Sequence, residues 1–286
     1  MNSLKLASDL ITDNMILREK IFDTHAHYND AKFTSLDGGA DALLTSDEMK
    51  NTVCGIINVG TYSKTSLDII AQAKKYDFMY AAVGVHPTEA QKYELYDVDA
   101  ELGKIESLLD TPEKRAENKI VAIGEIGYDF YWQPYDKDLQ TEYFERQLNL
   151  AEKYALPVSI HNRDAHGDTF EMLIKHKNVR GVIHSCSMSA DMACELTRRG
   201  WYISFSGTVS FKNAPRVKEA CAAIPLDKLL VETDAPYLAP HPHRGKMSDS
   251  ILMSHTVEAM AEIRGLSFDE MAKITTENAK NIFRLA

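Results

Sequence analysis

Two histidines separated by a single residue lie at the end of a short apolar segment near the start of the chain. Residues 21–27 begin with Ile and Phe and end with His25-Ala-His27, and the segment is predicted to be a β-strand. Side chains two residues apart on a strand point to the same face, so His25 and His27 can bind one metal ion together. An isolated pair of this kind is often incidental, so its meaning depends on the rest of the chain.

Four more side chains of metal-ligand type stand at the ends of later apolar segments, namely Glu125, His161, His184 and Asp234. If those segments are parallel strands of a barrel, their C-terminal ends converge on one mouth, where catalytic residues of such folds collect. Buried imidazole and carboxylate groups need hydrogen-bonding partners or a cation. Four histidines and two carboxylates match divalent-metal ligands in type and number. The sequence therefore predicts a metal site, with a hydrogen-bonded polar cluster as the alternative.

The ligand set divides between two ions if one carboxylate bridges them, and we assign that role to Glu125. The first ion would take His25, His27, Glu125 and Asp234, and the second would take Glu125, His161 and His184. Two ions about 3.5–4 Å apart can ionise a water and stabilise the oxygens of a phosphoryl displacement. Asp234 keeps one oxygen for the proton of that water, so Asp234 and Glu125 are the predicted catalytic residues. The expected cofactors are two divalent ions, Mg²⁺ or Mn²⁺ in turnover, with Zn²⁺ also compatible with the histidines.

The chain between these positions alternates predicted strands with predicted helices. Helices are expected over 138–155, which carries one apolar stripe, and after the capping-box pattern Ser267-Phe-Asp-Glu270. Eight strands fit a closed barrel or an open doubly wound sheet, and the count favours a single-domain α/β fold, the (β/α)8 TIM barrel, with its active site at the C-terminal strand ends. The strands are expected at residues 21–27, 53–59, 79–85, 120–127, 157–160, 181–184, 201–205 and 229–232.

Bulk properties exclude several classes of protein. A net charge of −10 argues against binding nucleic acid through a broad basic face, but it permits local phosphate capture in a pocket. The four cysteines show no paired spacing, which predicts free thiols in a reducing compartment. The chain shows no membrane-spanning run and no signal-peptide pattern, so a cytoplasmic protein without an obligate protein partner is expected. Residues 1–20 are predicted to be an N-terminal extension whose role the sequence does not indicate. Residues 21–286 are predicted to form the barrel.

The chain resembles the TatD family of metal-dependent deoxyribonucleases, within the amidohydrolase-like barrels. The resemblance rests on FDTHAH at 22–27, VGVHP at 83–87, GEIGYDF at 124–130, HNRDA at 161–165, FSGTVSFKNA at 205–214, ETDAPYLAP at 232–240 and PHRGK at 242–246. It implies the same six metal ligands. It also implies phosphate or substrate contacts from His86, Arg163, His243 and Arg244, where a guanidinium fork suits phosphate oxygens.

The resemblance further implies a hydrolase acting on DNA by local contacts, often trimming single strands from the 3′ end. The same site could instead hydrolyse another ester or amide, such as aminoacyl-tRNA. A third hypothesis is a metal-binding scaffold without catalytic activity. Two loops depart from the family pattern, at 185–188 and 247–250, and leave the preferred substrate open. Five aromatic residues near the mouth could stack on bases, although a core position is expected for most: Tyr128, Phe130, Tyr131, Trp132 and Tyr237.

Overall fold

The computed structural model describes residues 18–92 and 95–285. Within them, eight strands form one sheet whose order follows the chain, and all neighbouring pairs are parallel. The predicted TIM barrel is therefore confirmed. The strands are β1 (Ile21–Ala26), β2 (Val53–Val59), β3 (Met79–Val83), β4 (Ile120–Asp129), β5 (Val158–Arg163), β6 (Gly181–Ile183), β7 (Tyr202–Phe205) and β8 (Leu229–Val231).

Helices connect the strands and cover the outside of the sheet. The strands are almost wholly buried for this reason, which explains why they read as continuous apolar runs rather than alternating ones. In the described part of the chain the helices are α1 (Gly39–Leu44), α2 (Asp47–Thr52), α3 (Ser63–Lys75), α4 (Pro87–Ala90), α5 (Val98–Ser107), α6 (Pro112–Glu117), α7 (Lys137–Tyr154), α8 (His166–Lys175), α9 (Ala190–Arg198), α10 (Pro215–Ala223), α11 (Met253–Arg264) and α12 (Phe268–Phe283).

The barrel closes where the segment after β8 runs beside β1. Ala26 and Ala235 form a parallel bridge. The His27 N–H donates to the Ala235 carbonyl at 2.7 Å, and the Asp234 N–H donates to the His25 carbonyl at 2.9 Å. This closure places Asp234 directly against the histidine pair of β1, although the two come from opposite ends of the chain.

Two strands extend further toward the mouth than their apolar runs suggest. β4 continues past residue 127 to Asp129, and β5 continues past residue 160 to Arg163. Pairing of Gly127 with His161 and of Asp129 with Arg163 carries the ladder into polar sequence. The predicted ends were wrong here because they were placed where hydrophobicity stops, whereas backbone pairing does not depend on side-chain polarity.

The two helices predicted in detail are present as α7 and α12. Tyr143, Phe144, Leu148 and Ala151 of the predicted apolar stripe are buried in α7. Ser267 and Glu270 form the reciprocal capping box of α12. The four cysteines are free, as predicted. Across residues 18–92 and 95–285, the longest apolar helical stretches fall short of what a membrane span requires.

Most of the predicted N-terminal extension, residues 1–17, lies outside the described residues, as does Ala286. The end of the predicted N-terminal extension, from Arg18 on, packs on the outside of the barrel. The Arg18 guanidinium contacts Glu258 of α11 at 3.0 Å and lies 4.7 Å from the ring centroid of Phe268. The division at residue 20 stays a prediction.

Candidate metal centre

The first predicted ligand group comes together at the end of β1, within β4 and in the segment after β8. The Nε2 atoms of His25 and His27 are 3.1 Å apart. Glu125 Oε2 lies 3.3 Å from the first and 3.5 Å from the second. Asp234 Oδ1 lies 3.9 Å and 3.5 Å from the same two nitrogens. Four candidate ligand atoms, from β1 and the residue after it, from β4 and from the segment after β8, therefore face a common point.

The second group gathers on the other oxygen of Glu125. His161 Nδ1 and His184 Nε2 each lie 2.7 Å from Glu125 Oε1, and they are 3.3 Å from one another. The rings of His184 and His25 stack with centroids 4.0 Å apart, so the two groups adjoin. Glu125 thus presents one oxygen to each histidine pair, which is the arrangement expected of a bridging carboxylate.

The outward nitrogen of each imidazole is held by a separate partner. The Nδ1–H of His27 donates to the Val59 carbonyl at 2.9 Å, and the Nδ1 of His25 pairs with the Ser159 hydroxyl at 3.0 Å. In the second group, the outward nitrogens of His161 and His184 donate to the carboxylates of Asp129 and Glu232, at 2.9 Å and 3.3 Å. When a neutral imidazole donates its one proton through the nitrogen that faces away from Glu125, the nitrogen that faces the cluster carries a lone pair. A lone pair on that nitrogen is what binds a metal ion.

His86 has the opposite hydrogen-bonding pattern. Its Nδ1 accepts the Thr88 N–H at 3.1 Å, because His86 caps the short helix α4. The proton of the neutral ring is then on Nε2, which lies 3.4 Å from Glu125 Oε1. A nitrogen that carries a proton donates hydrogen bonds and does not bind a cation. Although His86 lies close enough to join the second group, this pattern favours the substrate-facing role predicted for it.

Charges within the cluster shift the pKa values of its members. Burial alone would raise the pKa of Glu125, but neighbouring histidines, above all His184, lower it well below its ordinary value. Burial also opposes ionisation of Asp234, and the hydrogen bond from His27 lowers its pKa. Burial would lower the pKa of His184, but Glu125 and Glu232 raise it well above its ordinary value. The carboxylates are therefore anionic, and protons compete with a cation for the imidazoles.

The donor set fits a bound cation. Distances from the His25 and His27 nitrogens within the first group run from 3.1 to 3.9 Å, and ligand atoms around a four-coordinate ion stand roughly 3.3–3.6 Å apart. Glu232 is fully buried, yet its Oε2 has no hydrogen-bond partner among the described residues. A buried cluster so rich in carboxylate is costly without positive charge, which divalent cations would supply.

The other predicted substrate contacts lie at the end of β5 and in the segment after β8. Arg163 ends β5, two residues beyond His161, and is exposed. Arg244 is exposed beside Phe211, with its guanidinium carbon 4.4 Å from the ring centroid. The ring of His243 lies 5.2 Å from that of His255. Their predicted phosphate contacts stay predictions.

Two acids of the site were missed by the sequence reasoning. Asp129 and Glu232 orient His161 and His184, but neither was assigned a role. For Asp129 strand alternation carried the signal, because it lies four residues beyond Glu125 on β4. Glu232 lies two residues before Asp234, in the segment that follows β8.

Comparison with known proteins places the chain. A family model described as TatD related DNase matches residues 22–284. The chain belongs to the TatD family. Among TatD-like relatives, the metal-dependent hydrolase YabD of Bacillus subtilis (strain 168) is 39% identical over 267 residues, 93% of this chain and 99% of YabD. The metal-dependent hydrolase YcfH of Escherichia coli (strain K12) is 34% identical, over 93% of this chain and 96% of YcfH.

A solved TatD structure agrees in fold. The crystal structure of the TatD homologue YJJV from Escherichia coli K12 superposes with a TM-score of 0.83 at 28% identity, covering 93% of this chain and 98% of that one. The predicted family is confirmed, and the chain is a metal-dependent hydrolase of the TatD family.

Proposed function

We propose that this TatD protein hydrolyses DNA phosphodiesters with two divalent cations, removing nucleotides from the 3′ end of single strands. The observation that carries the proposal is the division of the cluster at Glu125, with one carboxylate oxygen toward each histidine pair. Cations held this way, Mg²⁺ or Mn²⁺ in turnover, lower the pKa of a water molecule and neutralise charge on a phosphodiester.

The protein's own groups then have distinct tasks. Asp234 faces the histidines through Oδ1, which leaves Oδ2 to accept the proton of the attacking water. The Nε2–H of His86 donates to a phosphate oxygen. Arg163 and Arg244, with His243, bind the phosphates of the strand from the rim of the mouth.

The test is degradation of single-stranded DNA by the purified protein in Mg²⁺ or Mn²⁺. A 5′-labelled strand should shorten stepwise from its 3′ end, and chelation of the metal should stop the reaction. Asp234→Asn should lower kcat by about 10²–10⁴. The matched control is Asp227→Asn, an exposed carboxylate before β8 at the opposite end of the barrel, which should leave the rate unchanged.

Two results would contradict the proposal. One is intact DNA after prolonged incubation with metal while an aminoacyl-tRNA offered in parallel is deacylated, which would assign the site to another ester. The other is degradation at equal rates by the wild type and Asp234→Asn, which would indicate a contaminating nuclease.

A further inference from the structure

Two large aromatic side chains stand in solvent beside the candidate metal centre. Tyr131 and Trp132 follow β4 directly, and they are 48% and 58% exposed. Most of the chain's large apolar side chains are buried, including Trp201 at 1% exposure. Neighbouring exposed aromatics at the mouth of a barrel therefore indicate a binding surface. The expectation of a core position was right for Tyr128 and wrong for this pair and for Tyr237, which is 41% exposed.

A guanidinium is stacked against these rings. The Arg163 Cζ lies 3.9 Å from the ring centroid of Tyr131 and 5.6 Å from that of Trp132. The two aromatic rings are 5.0 Å apart and nearly perpendicular. An arginine held by its face keeps the N–H groups along its edge for a phosphate. We call Tyr131, Trp132 and Arg163 the stacking platform.

The stacking platform is tied to the metal centre through one carboxylate. Asp129 Oδ1 accepts the backbone N–H groups of Tyr131 and Trp132 at 3.0 and 3.2 Å. Its Oδ2 accepts the Nε2–H of His161 at 2.9 Å. Arg163 lies on the same strand as His161, two residues on. The position of the platform is therefore set relative to a candidate metal ligand.

We propose that the stacking platform holds one base of a single-stranded polynucleotide while Arg163 binds the adjoining phosphate. The proposal rests on the phosphodiesterase function proposed above. An aromatic face accepts any base, and a positive charge beside it matches the sugar–phosphate chain. A base inside a duplex has both faces covered by its neighbours, so the platform selects unpaired strands and frayed ends.

Tryptophan fluorescence reads the platform directly, because the chain's two tryptophans are the exposed Trp132 and the buried Trp201. The wild-type protein in Mg²⁺ is titrated with a single-stranded phosphorothioate oligodeoxynucleotide, chosen for slow hydrolysis. The emission should fall as a base stacks on Trp132, and the fall should be absent in Trp132→Phe. A blunt duplex of the same sequence should quench weakly. Equal quenching in wild type and Trp132→Phe, or none in either, overturns the proposal.

Kinetics provide the second arm. The double variant Tyr131→Ala and Trp132→Ala should raise KM for single-stranded DNA about tenfold or more and change kcat far less, because the platform binds a base away from the reacting phosphate. Trp132→Phe retains a smaller aromatic face, so its KM should lie between that of the wild type and that of the double variant. The control is Leu67→Ala, which removes an exposed apolar side chain from α3. An unchanged KM in the double variant overturns the proposal.

The two arms separate this inference from the proposed function. If the wild type does not hydrolyse DNA, the phosphodiesterase proposal fails, and the fluorescence titration alone decides whether the platform binds single strands. If DNA is hydrolysed but Trp132 does not respond and KM is unchanged, the platform fails while the proposed function stands.

Discussion

At the scale of single residues, each candidate ligand histidine is oriented by the hydrogen bond that its second ring nitrogen makes outside the cluster. Asp129 does this for His161 and also accepts two backbone N–H groups of the following loop. Such outer partners fix the tautomer of a ligand and raise its basicity. The chemistry of the site therefore extends one layer beyond the six ligand-type side chains.

Substituting Asp129→Asn tests this layer. The amide removes the negative charge and places a donor where one oxygen now accepts, so it cannot satisfy both His161 and the loop. We expect metal affinity or activity to fall about 10–100-fold, measured by metal titration and by kcat. The control is Asp136→Asn at the N-cap of α7, where asparagine caps as well as aspartate. Wild-type metal affinity in Asp129→Asn would contradict the role assigned to it.

Protons should compete with metal at this site. Burial lowers the pKa of His27, but the hydrogen bonds that its imidazole donates to the carboxylates of Asp234 and Glu125 outweigh burial and raise the pKa to about 10. Burial also lowers the pKa of His161, but its hydrogen bonds to Asp129 and Glu125 raise that pKa above its ordinary value. A raised imidazole pKa means that the metal-free protein holds these protons at neutral pH, so a cation must displace them and its affinity rises with pH.

Calorimetry of metal binding in buffers of different ionisation enthalpy measures the protons released. We expect at least one proton released at pH 7, and weaker binding as the pH falls toward 5. Binding with no proton release and no pH dependence would show that the imidazoles are not the ligands.

The ligands could be read from the sequence because each one ends an apolar run, and the topology then brings those ends together. The position of the proton on the His86 ring could not be predicted from the sequence, because it depends on a backbone N–H of the helix that follows. Nor could the link between Asp129 and His161, since an acid near a strand end carries no mark of what it will contact.

At the scale of elements, the close approach of β4 and β5 positions the second histidine group. Gly127 has a φ of 143° and pairs with His161. A Cβ added there would lie 2.0 Å from the His161 carbonyl oxygen. Only glycine fits a strand that must pass this close to a ligand residue.

Gly127→Ala should therefore separate the two strands. We expect a loss of about 3 kcal/mol or more in the free energy of unfolding, from overpacking and backbone strain, with weaker metal binding at His161. Urea unfolding measures the first effect. The control, Gly103→Ala in α5, has open space around the added Cβ and should stabilise by about 0.5–1 kcal/mol. Similar stability of both variants would contradict the tight strand contact.

The strands were predictable because continuous apolar runs are typical of parallel barrel strands. The errors lie at the ends: β4 and β5 extend beyond their predicted ends, and β3 ends at Val83 instead of residue 85. The exposure of Tyr131 and Trp132 was not predictable. Aromatic residues are usually buried, and whether a loop covers them depends on tertiary packing that the local sequence does not encode.

At the scale of the whole molecule, the barrel concentrates ionisable groups from both ends of the chain at one mouth. Cations bound there would be held by residues of β1, β4 and β5 and of the segments that follow β6 and β8, and so would tie these parts of the chain together. Metal that binds the folded state and not the unfolded chain must stabilise the fold.

Metal removal should therefore lower the melting temperature. At a hundredfold excess of metal over its Kd, each site contributes about 2.7 kcal/mol, which corresponds to a shift of about 5 °C or more for a chain of this size. Differential scanning fluorimetry with and without chelator measures it. The same chelator should shift Asp234→Asn less. An identical melting temperature with and without metal would indicate that the cluster holds no ion.

The central claim is that two cations share the carboxylate of Glu125, and anomalous diffraction from crystals soaked in Mn²⁺ tests it most directly. We predict two anomalous peaks about 3.5–4 Å apart, one within bonding distance of His25, His27 and Asp234, the other within bonding distance of His161 and His184. A single peak, or peaks that leave either histidine pair without an ion, would contradict the account.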